Sequence, residues 1–144
     1  MENTKLLIKY LGIDWGKARI GLAVGDNVVK IATPLKVVGS IGGILQVIKE
    51  EEINKIILGM PIKMQKSKIK MQNEFINFLR IIKNKVNIPI HLFDERLTSK
   101  AADALAGDKK TKAPRDALAA MIILQSYLDK VCTVVESKLP SVDN

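Results

Sequence analysis

Cysteine, histidine and tryptophan each occur once in these 144 residues, and aromatic residues make up only 4%. A lone cysteine, Cys132, excludes an internal disulfide and cannot by itself form a thiolate metal site; it reads as a small residue near a helix end. The lone histidine, His91, falls inside an apolar run and reads as a surface or core residue of a strand rather than as a catalytic base. With so few rings, the core must be built from Ile, Leu, Val and Ala. No apolar run approaches the roughly 20 residues needed to cross a bilayer, which excludes a membrane partner. The stretch Met1 to Lys9 lacks the apolar core of a signal peptide because Lys9 interrupts it, so a cytoplasmic protein is expected. Acidic residues are also in deficit: 15 against 23 Lys and Arg, a net charge of +8.

What is present is ordinary in bulk. Apolar residues at 47% and charged residues at 26% are typical of a globular chain, and the length suits one domain with a proper core. That domain is expected over residues 1–135, with a polar, flexible tail over 136–144 and no internal repeat or linker. The positive excess favours a polyanionic partner, because Lys and Arg that neutralise phosphates release condensed counterions. A generically basic protein would show the same number.

The chain is organised around Leu11-Gly-Ile-Asp-Trp-Gly-Lys-Ala-Arg-Ile-Gly-Leu-Ala-Val24. Two apolar runs, Leu6 to Ile13 and Arg19 to Val24, flank a Gly-containing turn and read as a β-hairpin with Asp14 at the end of the first strand. Val28 to Ile31 reads as a third strand, and Pro34 and Gly39 as loop markers. Ser40 is placed to cap a helix carrying Ile41, Ile44, Leu45 and Ile48. Lys55 to Leu58 reads as a buried strand stopped by Gly59 and Pro61. The stripe Met71, Phe75, Phe78, Leu79, Ile82 and Val86 predicts a second helix, and Ile88 to Phe93 a further strand. Thr98 to Leu105 predicts a short helix ended by Gly107. Pro114 opens the last one, running to about Val131 with Leu118, Met121, Ile122, Leu124 and Leu128 apolar. Three consecutive strands followed by alternating strands and helices predict an α/β fold with a five-stranded mixed sheet, an antiparallel meander joined to parallel strands.

Right-handed crossovers put the ends of the first, fourth and fifth strands on one rim. Asp14, the pair Asp94-Glu95 and Asp116 fall there, and lysine-rich segments from Lys63 to Lys70 and from Lys109 to Arg115 lie nearby. Each acid has a plain alternative: Asp14 as turn punctuation, Asp94 and Glu95 as a solvated strand end or partners of Arg96, Asp116 as a helix-dipole residue worth about 0.5 kcal/mol. Their coincidence on one rim is what points to metal. Carboxylates alone would repel a nucleic-acid backbone, whereas Mg²⁺ takes oxygen ligands and keeps positions open for phosphate oxygens. Two such ions about 4 Å apart activate water and stabilise the leaving oxygen of a phosphodiester.

Four blocks resemble the YqgF/RuvX family of the ribonuclease H-like superfamily. They are Leu11-Gly-Ile-Asp-Trp-Gly through Arg19-Ile-Gly-Leu-Ala-Val24, Ile57-Leu-Gly-Met-Pro61, Phe93-Asp-Glu-Arg-Leu-Thr-Ser99, and Asp116-Ala-Leu-Ala-Ala-Met-Ile-Ile-Leu-Gln-Ser-Tyr-Leu128, covering about residues 6 to 130 in the family's order. The resemblance implies a ribonuclease H-like sheet flanked by helices. It also implies a catalytic and metal-binding set of Asp14, Glu95 and Asp116 holding two Mg²⁺ or Mn²⁺ ions, with Glu95 chosen over Asp94. Lys17, Arg19, Lys63, Lys66, Arg96, Lys112 and Arg115 are the expected nucleic-acid contacts. The implied role is hydrolysis at the 5′ end of the 16S ribosomal RNA precursor, on structured RNA or pre-ribosomal particles. The alternative is Holliday-junction resolution on branched DNA. A monomer would suffice for trimming RNA, whereas cutting a junction needs a symmetric homodimer.

The sequence departs from the family pattern at Trp15, where Tyr or Phe is common, and at Lys17-Ala18, where a Thr-Lys pair is usual. Gln65-Lys66-Ser67 replaces an Asp-Gly-Ser. Two other classes compete with a nuclease: a ribosome-assembly factor that binds nucleic acid without cutting it, and a phosphate-binding ATPase, since Asp14-Trp-Gly16 also resembles the first phosphate loop of actin-like kinases. The latter need two such domains around the nucleotide.

Overall fold

A computed structural model describes residues 6–60, 69–94 and 114–137, with side chains in all of these except 69–72 and 132–137. The elements in chain order are β1 (Lys9–Asp14), β2 (Ile20–Asp26), β3 (Thr33–Val38), α1 (Ile41–Glu50), β4 (Lys55–Met60), α2 (Ile69–Lys85), β5 (Ile90–Asp94) and α3 (Arg115–Ser137). The strands form one five-stranded sheet in the order β3-β2-β1-β4-β5. β1 pairs antiparallel with β2 and β2 with β3, while β4 runs parallel to β1 and β5 parallel to β4. This is the mixed sheet expected from the element order.

Strand alternation sends successive side chains to opposite faces, and each face is covered by its own helical layer. Leu11, Ile13, Ile20, Leu22, Ile56 and Leu58 meet Ile44 and Val47 of α1 and Phe75, Phe78 and Ile82 of α2. Tyr10, Ala23, Ile57 and Phe93 meet Ala120, Ile123, Leu124, Tyr127 and Leu128 of α3. Fully burying a Leu or Ile side chain contributes about 1.5–3 kcal/mol, so these two layers are the main source of stability. Helix α3 lies unusually close to the sheet because Gly12 offers it no side chain: a Cβ there would stand 2.8 Å from the Cβ of Leu124.

The expected third strand is corrected. Residues 28–31 form a turn instead, because the Asp26 carboxylate accepts hydrogen bonds from the backbone N–H groups of Val28 and Val29, at 2.8 and 2.7 Å. Lys30 then adopts a left-handed φ of 63°, which ends any extended run. Val28, Val29 and Ile31 consequently stand exposed. The strand comes later, as β3, and contains Pro34, a position read as loop. A proline is tolerated there because β3 lies at an edge of the described sheet, where a missing N–H breaks no essential ladder.

Two smaller boundaries also move. Gly59 does not stop β4, which continues to Met60 and pairs there with Asp94. Ser40 occupies the position before α1 with extended backbone, but its side chain makes no capping hydrogen bond. Helix α3 continues through Glu136 and Ser137, so the first two residues of the expected tail are helical. The short helix expected at 98–105, the lysine-rich segment 63–68, the residues from Glu95 to Lys112 and the tail after 137 lie outside the described residues.

Candidate functional site

Asp14 is the last residue of β1, half-buried, at the carboxyl rim of the parallel strands. Its neighbours across the sheet are both glycines, Gly21 of β2 and Gly59 of β4. In register, therefore, neither strand neighbour of Asp14 carries a side chain of its own. Asp14 shares the strand parity of Tyr10 and Gly12, which face α3, so its carboxylate lies on the α3 side of the sheet. The turn that follows is anchored from the opposite face. Trp15 packs against Phe75 and Phe78 of α2, with ring centroids 5.5 and 6.0 Å apart. The strand end is thus pinned from below by an aromatic cluster.

Asp116 arrives at the same place from α3. It sits in the helix's first turn, and a Cβ added at Gly21 would overlap its carbonyl oxygen. Gly21 is thus the seat on which the helix start rests and also the register partner of Asp14, so the two acids flank one glycine. A negative side chain in the first turn is favoured by the helix dipole. A second partner is more specific: Arg19 donates from Nε to Oδ2 of Asp116 at 2.6 Å. The arginine, one residue before β2, thus ties the start of that strand to the start of α3.

The other expected contacts divide into two groups. Lys17 lies in the β1–β2 turn and pairs with Glu74 of α2 at 3.2 Å, with both side chains solvated, a pair that contributes little on its own. Arg115 is exposed at the first residue of α3. Glu95, Lys63, Lys66, Arg96 and Lys112 lie outside the described residues. Asp94, the alternative to Glu95, ends β5 on the same rim but with the parity of Ile90, which packs toward α1 and α2.

Glu74, Gly21 and Gly59 were not singled out from sequence. A side chain's partner across 57 residues leaves no local signal, and a glycine facing an acid becomes visible only once strand register is known.

Carboxylate oxygens of the Asp14 and Asp116 kind are the donors a hard divalent cation such as Mg²⁺ or Mn²⁺ takes. Among the described residues, no group of three or more His, Cys, Asp or Glu side chains could hold a metal. Asp14 and Asp116 are the two of the three expected carboxylates that lie among the described residues, and they fit the donor chemistry. No described helix is long and apolar enough to cross a membrane.

Residues 8–130 match the family model described as RuvX, Holliday junction resolvase. A protein of Maridesulfovibrio salexigens named "Putative pre-16S rRNA nuclease" is 34% identical over 132 residues, covering 84% of this chain and 98% of that protein. A protein of the same name from Protochlamydia amoebophila is 35% identical over 150 residues, covering 92% and 100%. Among solved structures, T. thermophilus RuvC in complex with a Holliday junction substrate superposes with a TM-score of 0.59 at 16% identity, covering 87% of this chain and 96% of that one. The fowlpox virus resolvase in complex with Holliday junction DNA follows at a TM-score of 0.51 and 11% identity. These two structures show a shared fold.

Proposed function

The chain belongs to the RuvX family and is a phosphodiester hydrolase, and from that premise we propose that it trims the 5′ end of the 16S ribosomal RNA precursor. The observation that carries this is the meeting of Asp14 and Asp116 on either side of Gly21, at the carboxyl rim of a basic protein. A basic phosphate binder gains nothing from two acids at that position unless a cation joins them to the substrate. The substrate follows from the relatives' shared name.

Asp14, Glu95 and Asp116 would hold the cations, two Mg²⁺ or Mn²⁺ ions. Such ions, when bound, lower the pKa of attacking water and stabilise the leaving oxygen of an in-line displacement. Asp14, at the end of the central strand β1, would hold a cation at the middle of the rim. Glu95 is assigned ahead of Asp94 because Asp94 has the parity that faces away from Asp14. Arg19 orients Asp116 through its 2.6 Å hydrogen bond, presenting the remaining carboxylate oxygen to the rim. Lys17, Arg115 and the lysines of the two basic segments neutralise substrate phosphates on either side.

Holliday-junction resolution remains a second reading because the matching family model is described by that activity and the fold is shared with two resolvases. It would require a homodimer to cut two strands symmetrically.

The test uses two labelled substrates in parallel, a 5′-extended 16S precursor RNA and a four-way DNA junction. Wild type and Asp14→Asn are compared with Mg²⁺, Mn²⁺ or chelator. The expected result is RNA cut by wild type with metal only and not by Asp14→Asn, whose circular dichroism and melting remain native. Junction cutting alone would transfer the assignment to the resolvase. Binding that survives chelation without cleavage of either substrate would instead identify a non-catalytic assembly factor, and a fully active Asp14→Asn would remove Asp14 from the chemistry.

A further inference from the structure

His91, the chain's one histidine, plays no part in the hydrolysis described above, yet it stands among both aromatic and charged residues. It shares the α3-facing side of β5 with Phe93. Tyr127 of α3 lies between them, with ring centroids 5.2 Å from His91 and 6.2 Å, edge-on, from Phe93. Lys55 stands at the start of β4. Its Nζ donates to the Tyr127 hydroxyl at 2.9 Å and lies 5.4 Å from the ring centroid. Together with Lys130 these residues line a cavity of 470 Å³, which Asp94 also borders although its parity turns its side chain toward the other face.

Size, shape and charge agree on one kind of ligand. The volume lies within the roughly 300–1,000 Å³ of small-molecule sites. The walls offer an exposed imidazole face over a buried aromatic floor, with two lysine ammoniums at the side. Rings that stack bases, next to cations that take phosphate, are the two elements from which single-stranded nucleic-acid sites are built. Burial and the neighbouring Lys55 both lower the pKa of His91, so near neutral pH its ring is uncharged and suited to stacking.

Position matters equally. Asp94 is at once the cavity's end and the last residue of β5, paired with Met60 of β4. Gly59, one residue before Met60, is the neighbour of Asp14. Two strand spacings, about 10 Å, separate β1 from β5. The cavity therefore begins on the same rim as the two acids and runs away from it, along the edge strand β5 and the second half of α3.

We infer that this cavity is a nucleotide-binding subsite, taking a base against His91 above the Tyr127 floor and its phosphate at Lys55 and Lys130. It rests on the nuclease reading for its role, which is to seat one nucleotide of the bound strand to the β5 side of the scissile bond. The same chemistry would accept a free mononucleotide, and the two sources separate in the experiment.

The full-length protein is ¹⁵N-labelled and titrated with uridine 5′-monophosphate and, separately, with a single-stranded oligouridylate, following backbone resonances of 91–94, 127 and 130. In parallel, kcat and KM are measured on the precursor RNA and on bis(4-nitrophenyl) phosphate, a diester too small to reach from the rim into the cavity. His91→Ala removes a stacking face without changing charge at neutral pH, and Lys130→Gln removes one ammonium; both side chains are exposed, so folding is retained. The expected result is a shift of the cavity resonances with oligouridylate. Each variant should raise KM for RNA about tenfold, with kcat and diester hydrolysis unchanged. Saturable shifts with the mononucleotide as well would make the site a receptor for free nucleotide too; shifts with the oligomer alone would assign it to the strand. Unmoved resonances together with a wild-type KM in both variants would overturn the subsite while leaving the nuclease intact. Loss of all hydrolysis in wild type, with cavity shifts retained, would overturn the nuclease reading and leave the subsite standing.

Discussion

At the scale of single residues, the site depends on side chains that are missing as much as on those present. Gly21 and Gly59 flank Asp14 in register without side chains of their own, and the bare Gly21 lets the start of α3 settle against β2 at Asp116. Asp14 could be picked out from sequence because an acid at the end of an apolar run is a local pattern. Its glycine frame could not, since it depends on register between strands. His91 shows the same limit. As a lone histidine in a strand it read as unremarkable, and only the fold sets Lys55 and Tyr127 around it. The consequence can be measured. Burial and Lys55 hold the folded-state pKa of His91 below the ordinary 6.5, so the unfolded chain binds this proton more readily. Stability from this residue is complete above the unfolded value and is lost as pH falls through the lower folded one. Between about pH 7.5 and about pH 5, the urea midpoint of His91→Gln is therefore expected to fall less than that of wild type. An equal fall in both proteins would place the acid sensitivity in other groups.

At the scale of elements, α3 shows both what periodicity predicts and what it misses. Of the stripe Leu118, Met121, Ile122, Leu124 and Leu128, all but the half-buried Met121 are buried as the spacing predicts, but Ile123 and Tyr127 are buried too, because the helix lies flat on glycine-bearing strands and covers a wider arc. Gln125, a polar interruption of that stripe, turns out to be a clamp. Its Oε1 accepts the Ala32 N–H at 2.8 Å, and its Nε2 donates to the Lys30 carbonyl at 3.0 Å and to Asp129 at 2.9 Å. These bonds fasten the turn that displaced the expected third strand. Gln125→Met keeps the length of the side chain but strands the half-buried amide of Ala32, a loss of about 1–3 kcal/mol. A chemical-denaturation midpoint close to wild type would show instead that water satisfies that amide at no cost. Val28 to Ile31 was misread for a related reason. Three β-branched residues favour a strand locally, but Asp26 two residues earlier offers their amides a closer acceptor.

At the scale of the whole molecule, a net charge of +8 sits on a protein whose candidate centre is acidic. Phosphates bound by the basic surface release counterions, so affinity for RNA is expected to fall linearly in a plot of log K against log salt, with a slope of about −0.7 per phosphate neutralised on a single strand. Measured by anisotropy in chelator, Lys17→Ala or Arg115→Ala should each make that slope shallower by about one contact. A slope near zero would mean that the positive excess is a feature of composition with no role in binding.

The sequence by itself determined the order of the described strands and helices, the mixed sheet and the family, and it singled out the candidate acids, because each of these follows from local spacing or from short motifs. Tertiary structure alone decided that Asp14 and Asp116 share one glycine, that Arg19 holds the second of them, and that Lys55, His91 and Tyr127 surround one cavity. Most of these pairs lie far apart in sequence, 97 positions for Arg19 and Asp116 and 72 for Lys55 and Tyr127. Only the closing of the sheet and the seating of α3 upon it bring such residues within reach of one another.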